Sequence, residues 1–348
     1  MPDYKAGWPI HTAALSRDGW GWQPTSPILI PMPIHLAFEL PAFLLGLLFG
    51  SFLNVCISRL PEHRSISRPR SHCPNCRQTI RWYDNIPLLS FLLLRTRCRH
   101  CQAPIPWRYP LVELATALWF ARMSSDFADF YTLHLTADPA WLSTHSGLLL
   151  NLTIYVAGLF LLGFLLIGLA VMDWQTHTLP DAFTLTGIVL GFLVVCVQAI
   201  FLNPGEGDIH LNPKHSLRMS SPGSMAAQGN VFLTGPEHLV FGRIAAIAAA
   251  ALLLLTIRWL YKLLRHREGL GLGDVKLLAL IAAFLGFQPA ILALFFGILL
   301  CTAYALTLLL RRKADSLTHL PLGTFLSIGG LLSALTCDII LPWYKSLL

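Results

Sequence analysis

From Leu148 to Met172 the chain runs for 25 residues without a charged side chain. That is longer than the roughly 20 apolar residues needed to cross the hydrocarbon core of a bilayer. Comparable runs recur along the sequence, and 55% of the 348 residues are hydrophobic while 12% are charged. Such a chain folds in lipid, as an all-α polytopic membrane protein. The formal charge of +7 raises the alternative of nucleic-acid binding. The arginines and lysines sit beside the apolar runs, however, as topology signals do, and no nucleic-acid partner is expected.

Apolar segments fall at about Leu36 to Ile57, Pro110 to Met123, Leu148 to Met172, Ala182 to Leu202, His238 to Leu264, Val275 to Phe287, Pro289 to Leu310 and Leu320 to Trp343. That predicts eight transmembrane helices, the second and sixth short for a full crossing. Residues 59 to 110 carry ten arginines against Glu62 and Asp84, so the positive-inside rule puts this segment in the cytosol. Alternating crossings then place "YKLLRHRE" and "RRK" inside. The loop 124 to 147, with Asp126, Asp129 and Asp138 and no Lys or Arg, falls outside. Residues 1 to 34 form an extracytoplasmic segment lacking the basic start and short apolar core of a cleavable signal peptide. The first helix, 35 to 58, is therefore expected to be an uncleaved anchor. A cytosolic loop domain follows at 59 to 109, then a transmembrane domain at 110 to 343. Within the latter, the Gly-, Pro-, Ser- and Asn-dense stretch 203 to 237 reads as a flexible outer loop.

The arginine-rich loop contains Cys73-Pro-Asn-Cys76 and Cys98-Arg-His-Cys101, with 21 residues between the pairs. Two C-x-x-C knuckles have the form of a closed four-thiolate zinc site, and a cytosolic loop argues against disulfides. His72 and His100 flank the ligands and could replace a sulfur, although a surface role is the simpler reading. A closed site has no open position for substrate, so the zinc is expected to fold the loop and to do no chemistry. Cys56, Cys196, Cys301 and Cys337 lie in or beside apolar spans and read as packing residues.

Three carboxylates stand at span ends. Asp173 terminates the uncharged run, where water reaches it and the cost of membrane insertion is reduced. Asp181, in "LPD", suits the first turn of a helix for structural reasons. Asp274 follows "GLGLG", whose glycines Gly269, Gly271 and Gly273 give backbone freedom and room for close approach. The span count puts Asp173 and Asp274 on the same side of the membrane. If they meet, one can take a proton from water while the other polarises a carbonyl, a means of peptide hydrolysis without metal or side-chain nucleophile. The glycine run follows no predicted strand and is not a dinucleotide site.

Taken together, "GSFLNVCISRLP" (50 to 61), the two C-x-x-C pairs, "NIPLLSFLLLR" (85 to 95), "RYPLVE" (108 to 113), Asp173 with "LPD" (179 to 181), "GLGLGDVKLLA" (269 to 279) and "PLGTFL" (321 to 326) resemble, in order, the motifs of type IV prepilin peptidases. These are inner-membrane aspartic proteases of the GxGD type. The resemblance covers residues of about 40 to 330. It implies that Asp173 and Asp274 are the catalytic pair and that Cys73, Cys76, Cys98 and Cys101 hold structural zinc. It also implies that the substrates are type IV prepilins or type II secretion pseudopilins, cut at the cytosolic face of the bacterial inner membrane. Many such enzymes then methylate the new N-terminus with S-adenosylmethionine. The chain departs from the family at Thr96, where glycine is common between two arginines, and in "PLGTFL", which replaces a P-F-G-P core.

Two other classes compete with this reading. A zinc-ribbon membrane adaptor would use the basic loop, but would leave Asp274 and its glycines without a task. A proton-coupled transporter would need a polar path through the bilayer, for which the spans offer chiefly Glu113, Arg243 and Arg258.

Overall fold

The computed structural model describes residues 32–137, 146–201, 236–266, 271–311 and 320–347. Most of the N-terminal segment, most of the stretch 203 to 237, and Gly269 lie outside the described residues. The helices are α1 (Met32–Arg59), a short α2 (Leu89–Leu93), α3 (Arg108–Ala137), α4 (Ser146–Thr176), α5 (Asp181–Phe201), α6 (Pro236–Arg265), α7 (Leu272–Leu285), α8 (Phe287–Leu310) and α9 (Leu322–Leu347). The eight longer ones occupy the eight apolar segments. Five of them, α1, α4, α5, α6 and α8, are long and apolar enough to cross a membrane. The chain is an all-α polytopic membrane protein.

The second helix departs from expectation. The apolar run stops near Met123, yet α3 continues to Ala137 over 30 residues, consuming much of the expected loop. Its polar second half is carried by local pairing. Arg122 Nη1 meets Asp126 at 2.5 Å one turn on, and the Thr132 hydroxyl returns to the Ala128 carbonyl at 2.8 Å. Apolarity marks where lipid is met, whereas a helix can extend beyond it.

Helices α1 and α3 pack backbone to backbone. A Cβ on Gly46 would come within 2.6 Å of Ala117 Cα, and one on Gly50 within 2.7 Å of Glu113 Cα. This small-xxx-small spacing lets two helices approach where lipid gives no hydrophobic drive to associate. α4 lies centrally, touching α1, α3, α5, α7 and α9, with Leu162, Leu166, Leu169 and Met172 fully buried.

The core of the bundle is α7. Leu277, Leu278, Leu280, Ile281, Ala282 and Ala283 are all shielded at 0% exposure, the signature of a helix apolar on every side. Its 14 residues rise about 21 Å, short of the roughly 30 Å hydrocarbon core. Such a helix persists at membrane depth because protein satisfies its ends. At the C-terminus, Gly286 turns with φ 97° directly into α8, and Arg243 of α6 donates to the Ala282 carbonyl at 3.3 Å. Arg243 thus caps α7. Glu113 is likewise committed, its Oε2 accepting the Leu88 N–H at 2.9 Å. Glu113 and Arg243, groups that a proton path would have needed, thus have structural partners.

Candidate active site and metal centre

The four cysteines converge. Their sulfurs all lie within 4.8 Å of one another, with Cys73 Sγ and Cys101 Sγ 3.7 Å apart. Zinc bound at about 2.3 Å to four sulfurs sets a tetrahedron edge of about 3.8 Å, so the cluster fits that ion. The two knuckles repeat one design. Isolated bridges pair His72 with Thr79 and Arg97 with Pro104. The residue after the second cysteine of each pair turns left-handed, Arg77 at φ 58° and Gln102 at φ 55°. Each turn is closed by a backbone bond onto the first cysteine, Arg77 N–H to Cys73 C=O at 2.8 Å and Gln102 N–H to Cys98 C=O at 3.0 Å. His72 instead lies 3.2 Å from the Arg70 carbonyl, outside the sulfur cluster.

Beside the knuckles, Arg99 grips Asp84 through Nε and Nη2, the shortest contact being 2.6 Å. This hydrogen bonding holds the Asp84 carboxyl below the usual carboxylate range. Hydrogen bonds from the Ala103 backbone and then Asn75 lower the Cys101 thiol to about 6, while Cys76, despite a lowering bond from the Gln78 backbone, is raised to about 11 by burial and its sulfur neighbours. Thr96 sits at φ 64°, following Arg95 at φ 49°. Its N–H closes α2 onto the Phe91 carbonyl at 3.0 Å, a helix end that normally recruits glycine. The glycine common in the resembling sequences therefore has a backbone reason, and threonine holds the same conformation here under strain.

At the far end of α4, Asp173 is 6% exposed. Its Oδ2 accepts two hydrogen bonds from Thr324 of α9, from the backbone N–H at 2.7 Å and the hydroxyl at 3.0 Å. Asp274 stands in the first turn of α7, behind Gly271 in extended conformation, and a Cβ on Gly271 would lie 3.3 Å from its Oδ2. The two carboxylates lie close enough to interact electrostatically. Leu179 of "LPD" wedges between their supports. A Cβ on Gly273 would stand 3.0 Å from Leu179 Cδ1, and one on Gly323 would stand 2.9 Å from the same atom and 3.0 Å from Asp173 Cγ. Asp181 takes the structural role expected of it, pairing with Lys276 Nζ at 2.5 Å and tying α5 to the start of α7.

In the sequence Thr324 stands out only as part of "PLGTFL". Its direct hold on Asp173 joins residues 151 positions apart, and nothing local announces it.

Residues 44–127 match the bacterial peptidase A24 N-terminal domain, and residues 222–306 match the type IV leader peptidase family. A prepilin leader peptidase/N-methyltransferase from Aeromonas hydrophila is 33% identical over 341 residues, covering 89% of this chain and 97% of the relative. The chain belongs to the type IV leader peptidase family. Prepilin leader peptidase/N-methyltransferases of Pseudomonas aeruginosa (31% identical, 91% of this chain and 97% of the relative) and Klebsiella pneumoniae (36%, 71% and 84%) agree. No solved structure matches. Within this leader peptidase, the first matched region contains the cysteine cluster and the second contains Asp274.

Proposed function

We propose that the protein cleaves the basic leader from type IV prepilins or type II secretion pseudopilins and then N-methylates the new N-terminus. What supports the reading is that Asp173 and Asp274 stand near enough to interact electrostatically, in a chain whose relatives are named for that pair of activities. Asp173 and Asp274 are the catalytic pair. One carboxylate takes a proton from the attacking water, and the other protonates the scissile carbonyl oxygen; collapse of the tetrahedral intermediate expels the amine of the mature chain. Thr324 holds Asp173 in place. The glycines around Asp274 leave the backbone open to an extended substrate.

Cys73, Cys76, Cys98 and Cys101 hold structural zinc, which stabilises the cytosolic domain 59 to 109. The transmembrane protease domain spans 110 to 343. The arginine-rich face and the aspartates lie on the cytosolic side of the inner membrane, where acidic lipid headgroups are partners for the arginines. S-adenosylmethionine supplies the methyl group.

The test is mass spectrometry of a prepilin incubated in proteoliposomes with the purified protein and S-adenosylmethionine, beside Asp274→Asn. A shortened, methylated product that disappears with the variant is expected. An intact prepilin, when a homologous enzyme cuts the same preparation, would overturn the reading.

A further inference from the structure

Between the two C-x-x-C pairs runs a stretch, residues 86 to 94, whose side chains are apolar except for that of Ser90. It falls far short of the roughly 20 residues that cross a bilayer. Most of it forms α2, and α2 is inside out for a helix in water. Phe91 is buried, with its ring 5.0 Å from that of exposed Trp107, while Leu92 and Leu93 are 70% and 71% exposed. Leu89 is exposed on the same face, since helix positions three and four apart are neighbours.

The level of α2 along the bundle says what meets those leucines. The chain enters α2 through the Leu88 N–H, which donates to Glu113 Oε2. Glu113 lies about 7 Å along α3 from its start at Arg108. Its Cα faces Gly50 of α1, a residue about 13 Å short of the end of that membrane-crossing helix at Arg59. At this level α1 exposes Leu48, Phe49 and Phe52. The loop has therefore folded back alongside the spans, and its polar groups suit that place. The N–H groups of Ser90, Leu92, Leu94, Arg95 and Thr96 each reach a carbonyl between Ile86 and Leu92 at 2.9–3.1 Å. The Ser90 hydroxyl returns to the Ile86 carbonyl at 2.6 Å, so none of these groups needs water. Arg95 and Thr96 then turn left-handed and lead out to exposed Arg97.

We propose that residues 86 to 94 form a re-entrant anchor, in which α2 seats Leu89, Leu92 and Leu93 among the acyl chains of the bilayer beside α1 and α3. Insertion of the leucines follows from the membrane-spanning fold alone. A role for Arg95 and Arg97 at acidic headgroups rests on the reading above. Trp107, exposed just before α3, stands where interfacial tryptophans collect. The anchor sets the height of the cysteine knuckles at the end of the bundle that holds Asp173: Arg108, next in the chain to Trp107, donates to Gln175 Oε1 at 2.8 Å, two residues beyond that aspartate. It also gives a task to "NIPLLSFLLLR", a motif that neither the aspartates nor the cysteines account for.

Placing p-benzoylphenylalanine at Leu92 or Leu93, both exposed, leaves the packing intact and reports what lies against the face. The full-length, zinc-loaded protein is irradiated in vesicles of phosphatidylcholine and phosphatidylglycerol, and its peptides are analysed by mass spectrometry. The expected result is a peptide carrying the added mass of a phospholipid at each position, as at Leu48, 61% exposed on membrane-crossing α1. An adduct at Leu48 but none at Leu92 or Leu93 would overturn the anchor. Cross-links from those two positions to a second copy of the chain or to an added prepilin, in place of lipid, would overturn it equally. Phosphatidylglycerol should be enriched among the adducts at Leu93 over its share of the vesicle, and Arg95→Gln with Arg97→Gln should abolish that enrichment while the adducts persist. Adducts without enrichment in the wild type would remove the headgroup role of the arginines and leave the insertion standing.

Discussion

Thr324 binds one oxygen of Asp173 twice, through its N–H at 2.7 Å and its hydroxyl at 3.0 Å. The same hydroxyl lies 3.1 Å from the Ala170 carbonyl, so one proton serves two acceptors on α4. Helix α9 thereby fixes the rotamer of a carboxylate that α4 alone would leave free to turn. Replacing Thr324 by valine keeps the shape and the N–H and removes the hydroxyl. A hydrogen bond to a charged group contributes about 1.5–3 kcal/mol, so the prepilin cleavage rate should fall roughly 10- to 100-fold. Initial rates at saturating prepilin measure this, and an unchanged rate would show the hydroxyl to be dispensable.

Asp173→Asn and Asp274→Asn remove the proton acceptor or donor without a large change in volume. Each should lower cleavage by at least about 10²–10⁴-fold, the range for a positioned acid or base, with zinc content and melting temperature retained. Full activity in either variant would sink the assignment of the pair.

Gly323→Ala tests how closely the site is packed. The new methyl would stand 3.0 Å from both Cγ and Oδ2 of Asp173 and 2.9 Å from Leu179 Cδ1. It must displace the carboxylate or the leucine that packs against Gly273 and Gly323. Cleavage should drop about tenfold or more, since small misplacements of reacting groups are costly. The same substitution at Gly242, where a Cβ meets nothing within 4 Å, serves as the control and should leave the rate alone.

Cys73→Ser and Cys101→Ser should each release zinc and unfold the 59 to 109 domain, because binding and folding are one equilibrium at such a site. Metal analysis together with limited proteolysis reports both. Zinc retained at one equivalent in either variant would contradict the four-sulfur centre.

Thr96→Gly should stabilise the same domain. Threonine at φ 64° carries a left-handed penalty of about 1–2 kcal/mol that glycine lacks, partly offset by the greater entropy of glycine in the unfolded chain. A rise in the melting temperature of the zinc-loaded protein is expected, and a fall would show that the threonine side chain makes a compensating contact.

The sequence by itself determined the solvent, the helical class, the eight apolar segments and the chemical character of the cysteine cluster. Each of these depends on local composition or fixed spacing: long uncharged runs call for lipid, and paired C-x-x-C knuckles have the spacing of a four-sulfur metal site. It also marked Asp173 and Asp274 as candidates, since charges at span ends behind glycines are conspicuous against an apolar background. What only the tertiary structure decided is who holds what. The extension of α3 to Ala137 lies beyond what its apolar run marks. The capping of α7 by Arg243, the grip of Thr324 on Asp173 and the packing of Leu179 against Gly273 and Gly323 depend on residues far apart in the chain meeting in space. Whether a polar atom is satisfied is a property of its neighbours in the fold, and no local pattern of residues encodes it.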